Sequence, residues 1–214
     1  MPDIFDEVEE DLRAERMKRL LARYGGVFAG AALLVVLGVA GLQGWRWYES
    51  RGAGQAAEAY LAAGSAAAAP DADLKAVAGR YDALVAAAPP GYRTLARLRA
   101  AALKAEAGER EAAIAEWDAL SRDSAVDPLY RDLGTLLWAL HALDGGDPAA
   151  IEARLAPLAQ GPWRASVEEV RALAAMQRKD AAAARRLLTA LAADPLAPQG
   201  VRDRAGRLLA ELGS

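Results

Sequence analysis

The longest uninterrupted apolar stretch of the chain lies close to its N-terminus. Residues 24–45, YGGVFAGAALLVVLGVAGLQGW, are 22 consecutive positions without a formal charge. At a rise of about 1.5 Å per residue, a helix of this length covers roughly 33 Å, and the hydrocarbon core of a bilayer is about 30 Å thick. The stretch has no polar face, so it predicts a transmembrane helix rather than a buried helix of a soluble domain.

The segment before this stretch has a helical pattern of polar and apolar positions. Ile4, Val8 and Leu12 recur at every fourth residue, and acidic residues precede basic ones, which suits the helix dipole. Residues 1–23 are therefore predicted to form a cytoplasmic amphipathic helix. It acts either as a membrane-proximal stem or as a docking site for a cytoplasmic partner, and the pattern does not decide between these two roles.

Beyond a short juxtamembrane linker at 46–54, the pattern is helical to the end of the chain. Ala, Leu, Arg and Glu predominate and favour helices, whereas runs of Val, Ile and Thr that would indicate strands are absent. Glycine and proline separate helical stretches of about 11–18 residues, which predicts a string of antiparallel helix pairs. The breaks fall at Pro70, Pro89–Gly91, Gly108, Pro128, Gly145–Pro148, Gly161–Pro162 and Pro195.

The predicted helix pairs repeat along the sequence. The inter-helix turns at Gly108, Gly146 and Lys179 are separated by 38 and 33 residues. Each has a small residue seven positions before it, where helices can cross closely, and a large apolar residue nine positions after it, which can fill the groove between neighbouring pairs. The small residues are Ala101, Ala139 and Ala172, and the large ones are Trp117, Leu155 and Leu188, followed three positions later by Leu120, Leu158 and Leu191.

This spacing resembles the degenerate tetratricopeptide repeat, which has a period of 34 residues, and GEREAAI (108–114) is the best local match. Two departures leave the register open. Lys179 replaces a turn glycine, and Ile151 replaces the small residue found at Ala113 and Ala184.

The expected fold is therefore all-α, with a single N-terminal transmembrane helix followed by a tetratricopeptide-repeat-like α-hairpin solenoid. Residues 55–214 form the repeat domain, in which residues 55–88 supply an earlier and less regular pair. Residues 199–212 are expected to be an amphipathic helix that caps the array. Its inward-facing residues are Val201, Ala205, Leu208, Leu209 and Leu212.

The charges that flank the apolar stretch predict its orientation. Positive residues are retained on the cytoplasmic side, so the N-terminus is expected inside and the repeat domain outside. A cleaved signal peptide is the competing interpretation, but its apolar region has only about 7–15 residues, and here the first charges are acidic. The basic residues are Arg13, Arg16, Lys18, Arg19 and Arg23 before the stretch, against Arg46 and Arg51 after it.

Composition argues against several functional classes. The chain has no cysteine, which excludes disulfides and thiolate metal sites, and its net charge of −3 comes without a basic block outside the head, which argues against nucleic acid. The one histidine, His141, has no companion at metal-ligand spacing. Ser121, Ser124 and Ser166 lack the context of a nucleophile, and no glycine pair follows a strand. We therefore expect neither an enzyme nor a cofactor.

Two sets of residues are candidates for contacts with other proteins. Gly26 and Gly30 have the spacing that lets two membrane helices approach, as in a homodimer, although glycine is also simply common in such helices. The first helix of each pair is expected to line a concave groove, and ordinary core packing is the competing interpretation. The groove candidates are Leu95, Leu98, Leu133, Leu136, Leu140, Leu173 and Met176, with Trp138 projecting from the opposite side of its helix.

The layout of the chain also resembles a known family. The head DIFDEVEEDLRAERMKRLLARYG (3–25), one membrane helix that ends near GWRWYE (44–49) and an Ala-rich repeat domain are similar to the YfgM-like proteins. The resemblance implies a bacterial inner-membrane protein with a periplasmic repeat domain, ancillary to the SecYEG translocon and associated with the chaperone PpiD. It would assist exported proteins and carries no catalytic motif. A scaffold for another envelope assembly, such as division or cell-wall machinery, is the alternative.

Overall fold

The computed structural model describes the backbone of residues 4–213 and the side chains of residues 17–18, 22–48 and 50–213. Every regular element in these residues is a helix, which confirms the predicted all-α class. The chain forms two compact units, Met1–Gly52 and Ala53–Ser214.

The described residues of the first unit all belong to one long helix. Helix α1 spans Ile4–Ala67 and runs without a break through the predicted transmembrane segment and the predicted linker. Among the described residues, Ala22–Ala67 is the one segment long and apolar enough to cross a membrane, and none of its most apolar window is buried against protein. Phe28 and Trp45, for example, are 75% and 70% exposed. Such side chains suit a lipid environment better than water.

Some predictions for this unit fall outside the described side chains. The apolar face expected at Ile4, Val8 and Leu12 is one of them. The boundaries of the four predicted segments, 1–23, 24–45, 46–54 and 55–214, stay predictions.

The second unit is a series of helix pairs that follow the end of α1. Its elements are α2 Leu74–Ala87, α3 Pro90–Glu106, α4 Arg110–Arg122, α5 Pro128–Ala142, α6 Pro148–Leu155, a 3₁₀ turn at Ala156–Gln160, α7 Arg164–Gln177, α8 Ala181–Ala193 and α9 Gln199–Gly213. Helices α3 and α4, α5 and α6, and α7 and α8 form the three pairs expected from the repeat, and α9 packs on α8 and α7 at the end of the array.

Aspartate residues fix several helix starts. The carboxylates of Asp73, Asp127, Asp147 and Asp180 each accept a hydrogen bond from a backbone N–H in the first turn of α2, α5, α6 and α8. These caps satisfy donors that have no partner within the helix. Proline follows the cap in α5 and α6, where its missing N–H costs nothing.

The buried positions have the predicted register. Ala101, Ala139 and Ala172 are fully buried where helices cross, and the large residues nine positions after each turn, Trp117, Leu155 and Leu188, are no more than 1% exposed. Ile151 is also buried at 3%, so the larger side chain at this position is accommodated within the core.

The three inter-helix turns differ in where their positive φ angle falls. Gly108 and Lys179 have positive φ angles of 84° and 61°. In the turn between α5 and α6, the positive φ of 90° falls on Gly145 and not on Gly146. The reason is that this turn has five residues between its helices, whereas the other two have three each. Gly146 is constrained as well, because a Cβ atom there would clash with the carbonyl oxygen of Ala142.

Apolar clusters close both ends of the array. The earlier pair expected at 55–88 consists of the end of α1 and α2, where the rings of Tyr60 and Tyr81 meet edge to face at 5.1 Å. At the other end, Val201 and Ala205 of α9 are buried against α8, and Leu208, Leu209 and Leu212 are partly buried there.

Polar contacts join successive pairs along the edge that carries the inter-helix turns. The Lys75 ammonium pairs with Glu109, and the Arg110 guanidinium lies 3.1 Å from the Asp144 carboxylate. The Gln177 amide donates to the same carboxylate. This edge therefore links four consecutive pairs, and Asp144 receives contacts from both of its neighbours.

Candidate functional site

A groove of about 520 Å³ lies between three helices of the second unit. Helix α7 forms its middle, α5 and α9 contact α7 on either side, and each of α5 and α7 is the first helix of its pair. The lining residues are Leu136, Leu137 and Leu140 from α5, Ser166, Glu169, Val170 and Leu173 from α7, and Arg204, Arg207, Leu208 and Glu211 from α9.

Helical periodicity explains why these side chains share one surface. Leu136 and Leu140 are four residues apart on α5, and Val170 and Leu173 are three apart on α7, so each pair lies on one helix face. Ala139, on the adjacent part of α5, is fully buried in the core. Leu140 in contrast is 38% exposed, so the groove presents apolar surface to solvent.

One ion pair crosses the groove from α9 to α7. Arg204 donates from Nε and Nη2 to the two carboxylate oxygens of Glu169, at 2.6 and 2.7 Å. The hydrogen bonds to Glu169 raise the pKa of Arg204 above its usual range. Such two-pronged contacts fix geometry as well as charge, so this pair holds the cap helix against α7.

The structure separates the eight groove residues expected from sequence into three groups. Leu136, Leu140 and Leu173 line the groove. Leu98, Trp138 and Met176 pack against buried core clusters and lie outside the lining, whereas Leu136 belongs to such a cluster and also lines the groove. Leu95 and Leu133 are half-buried and lie outside the lining.

Trp138 lies against a charged residue of the neighbouring helix. The guanidinium carbon of Arg154 is 3.8 Å from the centre of its ring, and Arg154 also donates to Asp118 at 2.5 Å and to Ser121 at 2.8 Å. This contact ties α6 to α4 and leaves the Trp138 ring on a side of α5 that the groove does not use.

Sequence reasoning missed the contribution of α9 and the charges of the groove. Leu208 was expected to face inward in the cap, and it does so beside the groove. Arg204, Arg207 and Glu211 share this face because they are three or four residues apart. That spacing was the available signal, but the pairing of Arg204 with a residue 35 positions earlier depends on the packing of α9 on α7.

The glycines at the predicted membrane contact are accessible. Cβ atoms added at Gly26 and Gly30 would meet nothing within 4 Å. The helix contact at this pair stays a prediction, since the structure contains a single chain.

His141, a residue type common in catalysis, is held by packing and hydrogen bonds within the fold. His141 stacks on the Trp117 ring at 4.4 Å between centroids, and its backbone carbonyl accepts hydrogen bonds from Arg110. Burial, followed by the charge of Arg110, lowers the pKa of the His141 imidazole. Within the part of the chain that the structure describes, no group of His, Cys, Asp and Glu is arranged to hold a metal ion.

Comparison with known proteins gives one family. The family model described as "Tetratricopeptide repeat-like domain" matches residues 18–203. Searches among curated proteins and among solved structures find no significant match. The match covers all the helix pairs of the second unit and agrees with the repeat register of their buried residues.

Proposed function

Because the chain belongs to the tetratricopeptide repeat-like domain family, we propose that it is a membrane-anchored module for protein–protein interaction. The observation that carries the proposal is the apolar groove between α5, α7 and α9, in a chain whose α1 is able to cross a membrane. Repeat domains of this kind typically serve as scaffolds, and their function lies in such surfaces rather than in the fold itself.

The proposed location is a bacterial inner membrane, with the N-terminus in the cytoplasm and the repeat domain in the periplasm. The excess of Lys and Arg before the apolar stretch supports this orientation. The resemblance of residues 3–25 and 44–49 to YfgM-like proteins suggests the partners, namely SecYEG and a PpiD-like chaperone. One membrane helix would confine the groove near the channel exit and raise its effective concentration for emerging proteins.

Crosslinking from the groove tests the partners. The chain has no cysteine, so Leu140→Cys gives a single labelling site for a photoactivatable maleimide. In spheroplasts that express the protein at its native level, we expect capture of SecYEG or a PpiD-like chaperone. The matched control is Thr189→Cys, which is exposed on α8 and lies outside the groove.

The composition of the captured material decides between the two functional proposals. Capture of neither partner from Leu140→Cys, or equal capture from Thr189→Cys, contradicts a translocon role for the groove. Material dominated by division or cell-wall components would favour the alternative of a scaffold for that machinery.

Protease protection tests the proposed topology. A tag after residue 214 should be removed by protease added to intact spheroplasts, whereas a tag before residue 1 should be protected. The reverse pattern would show that the repeat domain lies in the cytoplasm.

A further inference from the structure

The groove lacks the side chains that usually hold an extended peptide. Side-chain amides can donate to and accept from a peptide backbone at once, yet the chain has no asparagine and none of its glutamines lines the groove. Ser166 is the one neutral hydroxyl in the lining. Of the charged lining residues, Glu169 and Arg204 bond to each other. An extended segment buried here would therefore leave most of its inward-facing backbone N–H and C=O groups without partners, which is costly.

A helix does not have this difficulty, because its backbone groups bond to one another. We propose that the groove binds an amphipathic helix of a partner protein, with apolar residues on the side that enters the groove and an acidic residue that faces Arg207. This proposal rests on the proposed interaction function and specifies the chemistry of the ligand.

The shape and polarity of the groove support a helical ligand. Its α5 wall is formed by Leu136, Leu137 and Leu140, and Leu173 and Leu208 add apolar surface from the middle and from the opposite wall. A ligand helix places side chains at positions i, i+3, i+4 and i+7 on one face, and such a stripe matches a groove with leucines on both walls and on the floor. The remaining face of the ligand would stay polar and exposed.

The charged residues of the groove mark one position, at Arg207, where a ligand can place an acidic residue. Glu169 and Arg204 neutralise each other through two hydrogen bonds. Arg207 also lines the groove and is exposed, and the described residues provide no ion-pair partner for it. Glu211, one turn further along α9, adds a negative charge to the lining. Recognition therefore depends on where the ligand carries its acid and not on its net charge.

Two synthetic peptides of identical composition test the helical spacing. Both contain Leu, Ala, Gln and one Glu, but one has Leu at i, i+3, i+4 and i+7 and the other has Leu at alternate positions. The full chain is held in phosphatidylcholine nanodiscs, empty nanodiscs serve as the blank, and binding is followed by fluorescence anisotropy. We expect the helical pattern to bind at least about tenfold more tightly. Equal affinities, a preference for the alternating peptide, or no binding of either would overturn the proposal.

A charge exchange tests the role of Arg207. Arg207→Glu should weaken binding of the Glu peptide by about tenfold and should strengthen binding of a peptide in which Lys replaces that Glu. Arg186→Glu, on the exposed face of α8, makes the same charge change outside the groove and should alter neither affinity. A loss that is the same for both peptides, or no loss at all, would show that Arg207 does not read the ligand charge.

A substitution in the apolar wall keeps the test independent of charge. Leu140 is partly exposed, so Leu140→Gln is expected to fold, as checked by far-ultraviolet circular dichroism. It should weaken binding of the helical peptide, and unchanged affinity would overturn the location of the site. These measurements use purified protein, so they can succeed even if crosslinking in membranes recovers neither SecYEG nor a PpiD-like chaperone.

Discussion

At the scale of single residues, Lys179 has a backbone conformation that most side chains avoid. Its φ of 61° corresponds to the 84° of Gly108 in an equivalent turn. A Cβ atom at Gly108 would meet nothing within 4 Å, so the cost of a side chain in this type of turn is conformational and not a clash. For residues other than glycine this cost is about 1 kcal/mol.

Exchange of the two turn residues should change stability in opposite directions. Lys179→Gly is expected to raise the free energy of unfolding by about 1 kcal/mol, and Gly108→Lys to lower it by a similar amount. Urea unfolding followed by circular dichroism would measure both. No effect from either substitution would mean that these turns tolerate a left-handed lysine without strain.

Asp123 and Asp194, which follow the second helices of their pairs, both have a lowered carboxyl pKa. Asp194 accepts hydrogen bonds from Arg164, at 2.5 Å, and from the backbone N–H of Leu196, and these contacts lower the pKa of its carboxyl. The backbone N–H of Ala125 and then Arg97 lower the pKa of Asp123 in the same way. A carboxyl whose pKa is lower in the folded state stabilises the fold above its unfolded pKa, and this contribution is lost as the pH falls through the folded pKa.

The stability of the protein should therefore fall below about pH 4, the usual pKa of an aspartate. Asp194→Asn is expected to reduce this dependence, and Asp123 would still contribute to it. Arg164→Gln should also reduce it, because it removes the main cause of the shift. The measurement is urea unfolding at several pH values, and an identical pH dependence in Asp194→Asn would contradict the assignment.

At the scale of elements, Gly134 sets the distance between α4 and α5. A Cβ atom at this position would lie 2.8 Å from Leu120 Cδ2 and 3.2 Å from the carbonyl oxygen of Trp117. Leu120 and Trp117 are both buried, so neither has room to move away. The close contact of α4 in the second repeat pair with α5 in the third thus depends on the absence of a side chain at Gly134.

Alanine at Gly134 should separate these two helices. Gly134→Ala is expected to destabilise the fold by about 1–3 kcal/mol through overpacking. The matched control is Gly79→Ala in α2, where a Cβ atom would meet open space and alanine should stabilise the helix by about 0.5–1 kcal/mol. Both are measured by thermal or urea unfolding. Equal effects at the two sites would show that α4 and α5 can adjust.

The helix pairs could be predicted from sequence because their signals are local and repeated. Ala139 and Leu155, for example, are buried as their distance from the turn predicts. The positive φ at Gly145 could not be assigned in this way, since two additional residues in the turn move the conformation without changing the pattern on either side.

The groove could be predicted only in part. Leu136, Leu140 and Leu173 belong to first helices, and the repeat pattern alone assigns them to one surface. The wall from α9 has no such signal, because α9 has no partner helix in the repeat. Trp138, which the sequence pattern places on the opposite side of α5 from these leucines, packs against Arg154 and lies outside the lining of the groove.

At the scale of the whole molecule, the two units have opposite surfaces. The apolar window of α1 is not buried, whereas the second unit has its own core of alanine, leucine, valine and aromatic residues. The family match and the register of the repeats concern mainly the second unit. The chain therefore combines a segment suited to lipid with a domain suited to water.

Phase separation in Triton X-114 should reveal this difference. The full chain is expected in the detergent phase, because an exposed apolar window of this length favours a micelle over water. Leu34→Arg combined with Leu37→Arg should shift the protein toward the aqueous phase, whereas Arg185→Leu, outside the first unit, should not. Recovery of the unaltered protein in the aqueous phase would contradict the membrane assignment.

The position of Asp144 has a consequence for how the array could change in length. Its carboxylate holds Arg110 of the preceding pair and Gln177 of the following one. Duplication or loss of a pair at either terminus would leave this junction intact, but an insertion beside α5 and α6 would deprive one neighbour of its anchor. We therefore expect natural variation in repeat number to accumulate at the ends and to spare the middle.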